Sequence, residues 1–186
     1  MREKNFHMKR SKTASTLLAV LVGSLIAGPQ AARAASPAPK PQHAKHTIVD
    51  LDTNKGLVVI ELHDDDAPNT VKNFIKLVNK HFYDGLKFHR YVENFVIQGG
   101  DPQGTGEGGP GYSIKLEIGK LKHLKGTLGM ARTNDPDTAG SQFYICLEPL
   151  PQLDGKYATF GHVVKGMDVV LKLRQGDFMK KVWVAK

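Results

Sequence analysis

Cysteine is nearly missing from this sequence. The single Cys146 excludes an intramolecular disulfide, and zinc patterns built on paired cysteines are absent with it. A long apolar run is lacking too: Thr13–Ala27 has about the length of a signal-peptide core and is too short to span a bilayer comfortably. Nor is the basic charge spread evenly. The formal charge is +8, but residues 1–34 hold six Lys/Arg against one acid, and the rest holds 20 bases against 17 acids, a surplus of +3. A surplus that small is a poor basis for gripping a phosphate backbone. No internal repeat is visible, and Ser141 sits in Ala-Gly-Ser-Gln, which is not the G-x-S-x-G elbow of a serine hydrolase. Cys146 is expected to be a small buried thiol and no nucleophile.

Three patterns that mimic ligand sites read as ordinary structure. Gly104–Gly109 matches G-x-G-x-x-G, but Pro110-Gly111 follows. No helix can open there to turn its N-terminus toward a phosphate, so the stretch reads as a surface loop. Asp64, Asp65 and Asp66 are adjacent in sequence and cannot all point at one ion; they read as a solvated turn ahead of a helix. His43 and His46 lie at the end of a proline-rich stretch and have no further ligands in sequence. No metal and no cofactor is expected.

What is present is an ordinary globular composition, 40% hydrophobic and 24% charged, in 186 residues. That length fits one domain of about 150 residues and a tail. The tail has a plain reading. Arg2–Lys12 is a basic n-region, Thr13–Ala27 an apolar core and Ala32-Arg33-Ala34 a small-x-small cleavage pattern. Residues 1–34 are therefore expected to be a signal peptide, removed after Ala34 on export to a periplasm-like or extracellular space; an uncleaved N-terminal anchor is the alternative. A start at Met8 leaves Lys9, Arg10 and Lys12 as n-region. Residues 35–45, with Pro37, Pro39 and Pro41, read as an extended linker. The folded domain is expected over 46–186.

Within it the periodicity is mostly that of strands. Thr47–Asp52 and Leu57–Leu62 flank Asn54-Lys55-Gly56, a hairpin signal. Asp66-Ala67-Pro68 opens a helix with a capping acid and a first-turn proline, and Val71, Phe74, Ile75, Val78 and Phe82 form its apolar stripe. Further strands are expected at Lys87–Val92, Phe95–Gln98, Thr127–Ala131, Gln142–Leu147, Thr159–Val164 and Lys181–Ala185, with a short helix over Gly166–Leu173. Many short strands and few helices point to a barrel or a sandwich. Alternation puts Gln142 and Tyr144 on one face and Phe143 on the other. Phe88, Phe143 and Phe160 are expected in the core, and His89 is expected to be structural.

Four motifs then stand in order: Phe88-His89-Arg90, Phe95–Asp101 (FVIQGGD), Gly140–Ile145 (GSQFYI) and Leu153–Gly161 (LDGKYATFG). On these the chain, from about Thr47 to Val184, resembles the cyclophilin family of peptidyl-prolyl cis-trans isomerases. The resemblance implies a mainly β fold, a closed eight-stranded antiparallel β-barrel capped by two α-helices. It implies that Arg90 is the catalytic arginine and that Gln98 supports both that arginine and the substrate carbonyl. Phe95, Val96, Tyr144 and Leu153 match the proline pocket. Met130-Ala131-Arg132 matches the strand whose backbone holds the extended peptide, and Gln142 the second glutamine of the groove. Tyr157 stands where the best-known members carry histidine. The expected partners are proline-containing unfolded or partly folded proteins, with no nucleic acid and no membrane insertion once the signal is gone; the chain is expected to be a monomer. A proline-peptide holder without catalysis is the rival reading, which loss of Arg90 separates.

The chain departs from the family pattern at a few places. Gln152 replaces a tryptophan that helps bind cyclosporin, and Asn94 replaces a turn glycine, a position asparagine tolerates at positive φ. The loop from Pro102 to Gly111 is shorter than in the longer members. Tyr144 replaces the usual phenylalanine and adds a hydroxyl, which either narrows the pocket edge or binds water.

Overall fold

The computed structural model describes residues 46–185. The expected signal peptide over 1–34 and the linker over 35–45 lie outside the described residues. The chain enters through a hairpin. β1 (Thr47–Thr53) pairs antiparallel with β2 (Gly56–Leu62), and alternation buries Val49, Leu51, Val58, Ile60 and Leu62. Helix α1 (Pro68–Asn79) follows, with Val71, Phe74, Leu77 and Val78 on its buried face. Ile75 and Phe82, also on the expected stripe, are only partly buried against the core.

The helix start differs from expectation. Its N-cap is Ala67, which offers no side-chain acceptor. Asp66 accepts the N–H groups of Lys120 and Leu121 instead, and Glu117 reaches across to accept those of Asn69 and Thr70. A carboxylate distant in sequence thus does the work expected of the local acid, at the helix end where negative charge is favoured.

The remaining strands are β3 (Arg90–Val92), β4 (Val96–Gly99), β5 (Thr127–Met130), β6 (Phe143–Cys146), β7 (Thr159–Lys165) and β8 (Met179–Val184). Between β7 and β8 lies the one-turn helix α2 (Met167–Val170), shorter than the expected Gly166–Leu173. All pairings are antiparallel and the order across the sheet is β3-β4-β6-β5-β7-β2-β1-β8. The sheet is strongly curled, but its edges β3 and β8 do not pair, so the expectation of a closed barrel is corrected to an incompletely closed one. The reason is local. The expected strand Lys87–Val92 is interrupted at Phe88-His89. The segment 85–88 bonds across the gap, with Gly85 N–H on Met179, Met179 N–H on Leu86 and Phe88 N–H on Asp177, while Arg90 onward pairs with β4.

Alternation along β6 then makes two apolar layers. Phe143 and Ile145 point into the interior, where Phe74, Tyr83, Phe88 and Phe160 are also fully buried. Burying each such ring contributes about 1.5–3 kcal/mol. Tyr144 and Cys146 point outward and join Val96 and Leu150 in a separate cluster on the outside of the wall. The free thiol of Cys146 is buried there, as expected, and burial pushes it up to about 12.

Candidate active site

Register aligns four residues in a row across four strands of the outer face. Arg90 on β3 faces Gln98 on β4, Gln98 faces Tyr144 on β6, and Tyr144 faces Gly129 on β5. Gly129 is required by this row. A Cβ on it would stand 2.2 Å from the Tyr144 ring carbon Cζ and from its hydroxyl, so the bare backbone is the floor on which the ring lies. The β3–β4 turn brings Phe95 beside the row. Asn94 sits there at φ 55°, the left-handed conformation expected of it, and Phe95 N–H closes the turn on Val92.

A cavity of about 270 Å³ opens over this row. Phe95, Val96, Ala131, Tyr144, Leu153 and Tyr157 form its apolar side, and Arg90, Gln98 and Arg132 its polar rim. Leu153 comes from the short helical turn Pro151–Leu153, and Tyr157 stands edge-on to Tyr144 at 6.2 Å. A larger groove of about 620 Å³ adjoins it, sharing Gln98, Ala131 and Arg132 and bounded beyond by Gln142 and the glycine-rich segment 106–111.

The polar groups are linked. Arg90 Nη1 donates to Gln98 Oε1 at 3.2 Å, and Gln98 Nε2 donates to Gln142 Oε1 at 3.0 Å. Gln142 Nε2 in turn donates to the carbonyls of Gly106 and Gly108 at 2.8 and 2.9 Å. The Arg90 guanidinium also lies 5.7 Å from the Phe95 ring centre, in cation–π range. The glycine-rich segment is held from below by Asp101, whose buried carboxylate accepts the N–H groups of Gln103 and Gly106. Burial alone would raise the pKa of Asp101, but these backbone donors outweigh it and hold the carboxyl below the usual aspartate range. Gly100, at φ 86°, lets the backbone pass Ser141, where a Cβ would stand 2.3 Å from the carbonyl oxygen.

A second network lies behind the apolar side. The Tyr144 hydroxyl meets Nε2 of His123 at 2.8 Å, and His123 Nδ1 meets Asp154 Oδ1 at 2.9 Å. Asp154 also accepts the His123 N–H, and these bonds hold its carboxyl below the usual range. An ionised carboxylate only accepts, so Nδ1 is the donor to it; in a neutral imidazole Nε2 then accepts the tyrosine proton. The hydroxyl of Tyr144 therefore points away from the cavity into the wall, and neither narrows the pocket nor needs a water there. Burial raises its pKa.

Of the expected site residues, Arg90, Phe95, Val96, Gln98, Ala131, Arg132, Tyr144, Leu153 and Tyr157 come together around one cavity, and Gln142 lines the groove beside it. Met130 does not belong with them. Its side chain is buried in the interior, it lines neither cavity, and its N–H is taken by the Ala158 carbonyl. The Ala131 N–H is taken by Gln142 O, so neither donor is free for a peptide. Arg132 is pinned through its Nη atoms to the carbonyls of Thr133 and Lys156, with its guanidinium 4.7 Å from the Tyr157 ring centre. His123 and Asp154 are the participants that sequence reasoning misses. Asp154 lies in the Leu153–Gly161 motif with no role assigned to it, and no periodicity marks His123.

Residues 48–186 match the family described as cyclophilin type peptidyl-prolyl cis-trans isomerase/CLD. A peptidyl-prolyl cis-trans isomerase of Synechococcus elongatus is 53% identical over 129 residues, 68% of this chain and 88% of its own. Peptidyl-prolyl cis-trans isomerase B of Bacillus subtilis is 49% identical over 135 residues, 72% of this chain and 92% of its own. Among solved structures, a cyclophilin type isomerase of Cryptosporidium parvum, crystallised in the presence of the dipeptide ala-pro, superposes with a TM-score of 0.70 at 33% identity over 75% of this chain and 99% of that one.

Proposed function

The chain belongs to the cyclophilin-type peptidyl-prolyl cis-trans isomerases and interconverts the cis and trans forms of X-Pro bonds in peptides and proteins; from that premise we propose that Arg90 drives the rotation over the pocket of Phe95, Val96, Tyr144, Leu153 and Tyr157. The observation that carries this reading is the Arg90 guanidinium, tied to Gln98 at the rim of that pocket.

The peptide bond resists rotation because of its double-bond character, with a barrier of about 18–20 kcal/mol. Uncatalysed X-Pro exchange therefore takes tens of seconds or more and can limit folding. As the bond twists, the imide nitrogen becomes pyramidal and gains a lone pair. A guanidinium donor to that lone pair, or to the preceding carbonyl oxygen, favours the twisted state. One charge-assisted hydrogen bond contributes about 1.5–3 kcal/mol, roughly ten- to hundredfold in rate. An acceleration of about ten-thousandfold needs roughly 5.5 kcal/mol, so Arg90 does not act alone. The apolar pocket clamps the proline ring and excludes water while the other side of the bond turns, and Gln98 holds the arginine ready. This reaction needs no covalent intermediate, metal or cofactor.

The substrates in this reading are X-Pro bonds of unfolded or partly folded proteins, and the role is to assist folding. The solved relative crystallised with ala-pro supports an X-Pro dipeptide as the minimal ligand. The basic and apolar start with its Ala32-Arg33-Ala34 pattern supports export and removal of 1–34, leaving the isomerase domain joined to residues 35–45. Exchange of a short X-Pro peptide, followed by NMR for the wild type beside Arg90→Ala, tests the mechanism. Arg90→Ala is expected to lower the rate about tenfold or more while the pocket still binds an Ala-Pro peptide. A folded wild type that binds such a peptide without accelerating its exchange would leave a proline-peptide holder, and an undiminished Arg90→Ala would remove the arginine from the mechanism.

A further inference from the structure

The hairpin that opens the fold, which contributes no residue to the proline pocket, gathers ligand-type side chains at its open end. Thr47 on β1 faces Leu62 on β2, so His46 and His63 flank the last pair of the ladder, their rings 4.8 Å apart. Glu61 is two residues before His63 on β2, on the same side of the strand. One nitrogen from each histidine and one Glu61 oxygen lie within 4.8 Å of one another. The three neighbouring acids have separate tasks: Asp64 accepts the Thr47 N–H, Asp66 holds Lys120 and Leu121, and Asp65 faces His46 Nε2 at 3.2 Å. The fold thus supplies His46 with the partners that its place in the sequence does not.

We propose that His46, Glu61 and His63 form a binding site for a divalent transition ion of the Zn2+ class. Two imidazoles and one carboxylate are a zinc-type donor set that leaves a fourth position for water. His46 Nδ1 and Glu61 Oε1 stand 2.6 Å apart, now joined by a hydrogen bond. Metal–ligand bonds of about 2.0–2.2 Å need that gap to open by less than about 1 Å, which rotation of the glutamate side chain provides. Asp65 on the far nitrogen of His46 completes the pattern of a metal-binding histidine oriented by a carboxylate. The side chains of His46 and Glu61 are 24% and 35% exposed, so an ion has a path in. A bound ion would clip the first residue before β1 to β2 and stabilise the folded chain by mass action.

The test titrates Zn2+ and Co2+ into the full chain at neutral pH. It reads heat, the visible absorption of the cobalt form and the melting temperature. The expected result is binding of one ion per chain and a rise in melting temperature. His63→Ala and the isosteric Glu61→Gln are each expected to weaken binding about tenfold or more. His81→Ala, which alters an exposed histidine paired only with Asp84, leaves binding unchanged. Circular dichroism confirms that each variant folds, and the X-Pro exchange rate stays at the wild-type value in all of them, since none lines the pocket. Ion binding that survives both His63→Ala and Glu61→Gln in folded protein overturns the proposal, and so does a wild type that binds neither ion up to about millimolar concentration.

Discussion

The Tyr144 hydroxyl gives the sharpest test of how the pocket wall is held. Tyr144→Phe keeps the ring over Gly129 and removes one oxygen. That oxygen lies 2.8 Å from His123 Nε2; Tyr144 is 5% exposed and the His123 side chain 1%. Losing it strands a ring nitrogen where water does not reach, which costs about 1–3 kcal/mol rather than the smaller net worth of a hydrogen bond at the surface. For a folded unit spanning residues 46–185 this amounts to a fall in melting temperature of about 3–10 °C. The X-Pro exchange rate should stay within about threefold of wild type, because the apolar surface offered to proline is unchanged. Thermal unfolding by circular dichroism reads the first quantity and peptide exchange by NMR the second. His123→Leu supplies the control. In that background the tyrosine has no partner, so adding Tyr144→Phe should cost nothing more, and the pair should couple by the full cost of the single change, about 1–3 kcal/mol. A melting temperature unmoved by Tyr144→Phe, with additive double-mutant energies, would refute the wall network.

Gln142→Ala should lower the exchange rate about tenfold with little change in stability. It removes the acceptor that fixes Gln98, and through it Arg90, and it frees the carbonyls of Gly106 and Gly108; an unchanged rate would show that Gln98 holds the arginine unaided. Asp101 predicts behaviour in acid. Its folded-state pKa is lowered, so its stabilising effect is complete above the ordinary aspartate range and is lost as pH falls through the lowered value. Amide protection over residues 103–109, relative to the intrinsic exchange rate at each pH, should therefore hold through mildly acidic pH and fall only below about pH 4, and Asp101→Asn should remove it already at neutral pH. Cys146, with its thiol pushed up to about 12, should hold only about one part in ten thousand as thiolate at pH 8. Ellman's reagent should label it in denaturant and spare it in the native protein; rapid native labelling would contradict its burial.

The sequence carries the elements well and the closure poorly. Alternating β-branched residues mark β1 and β2 because half-buried strands require that period, and the Asn54-Lys55 turn, closed by Gly56, fixes their register. Within the site, Phe95, Val96, Tyr144 and Leu153 are legible because the motifs name them together; their periodicity alone is that of a core. Three things are not legible. The edges of the sheet meet through Gly85, Leu86 and Phe88 ahead of β3 and through Asp177 and Met179 at the start of β8, a pairing that no local pattern announces. The cap of α1 comes from Glu117, some fifty residues on, and no local pattern announces it. His123 is a lone histidine among lysines, and only the tertiary fold puts Tyr144 on one side of it and Asp154 on the other.

That third case explains why an outward-facing cluster can serve as a site. A rotation catalyst has no covalent step to hold its substrate, so its geometry must exist before the peptide arrives. Val96, Tyr144 and Cys146 belong to strands paired on both sides, which fixes the pocket floor to the sheet. The two groups that must not drift are Arg90, on an edge strand of three residues, and the Tyr144 ring, on the open face of the wall. Each is tied by a polar chain that ends on a loop: Arg90 through Gln98 and Gln142 to Gly106 and Gly108, and Tyr144 through His123 to Asp154. The strands thus place the pocket, and the loops hold still the two side chains that the strands leave least constrained.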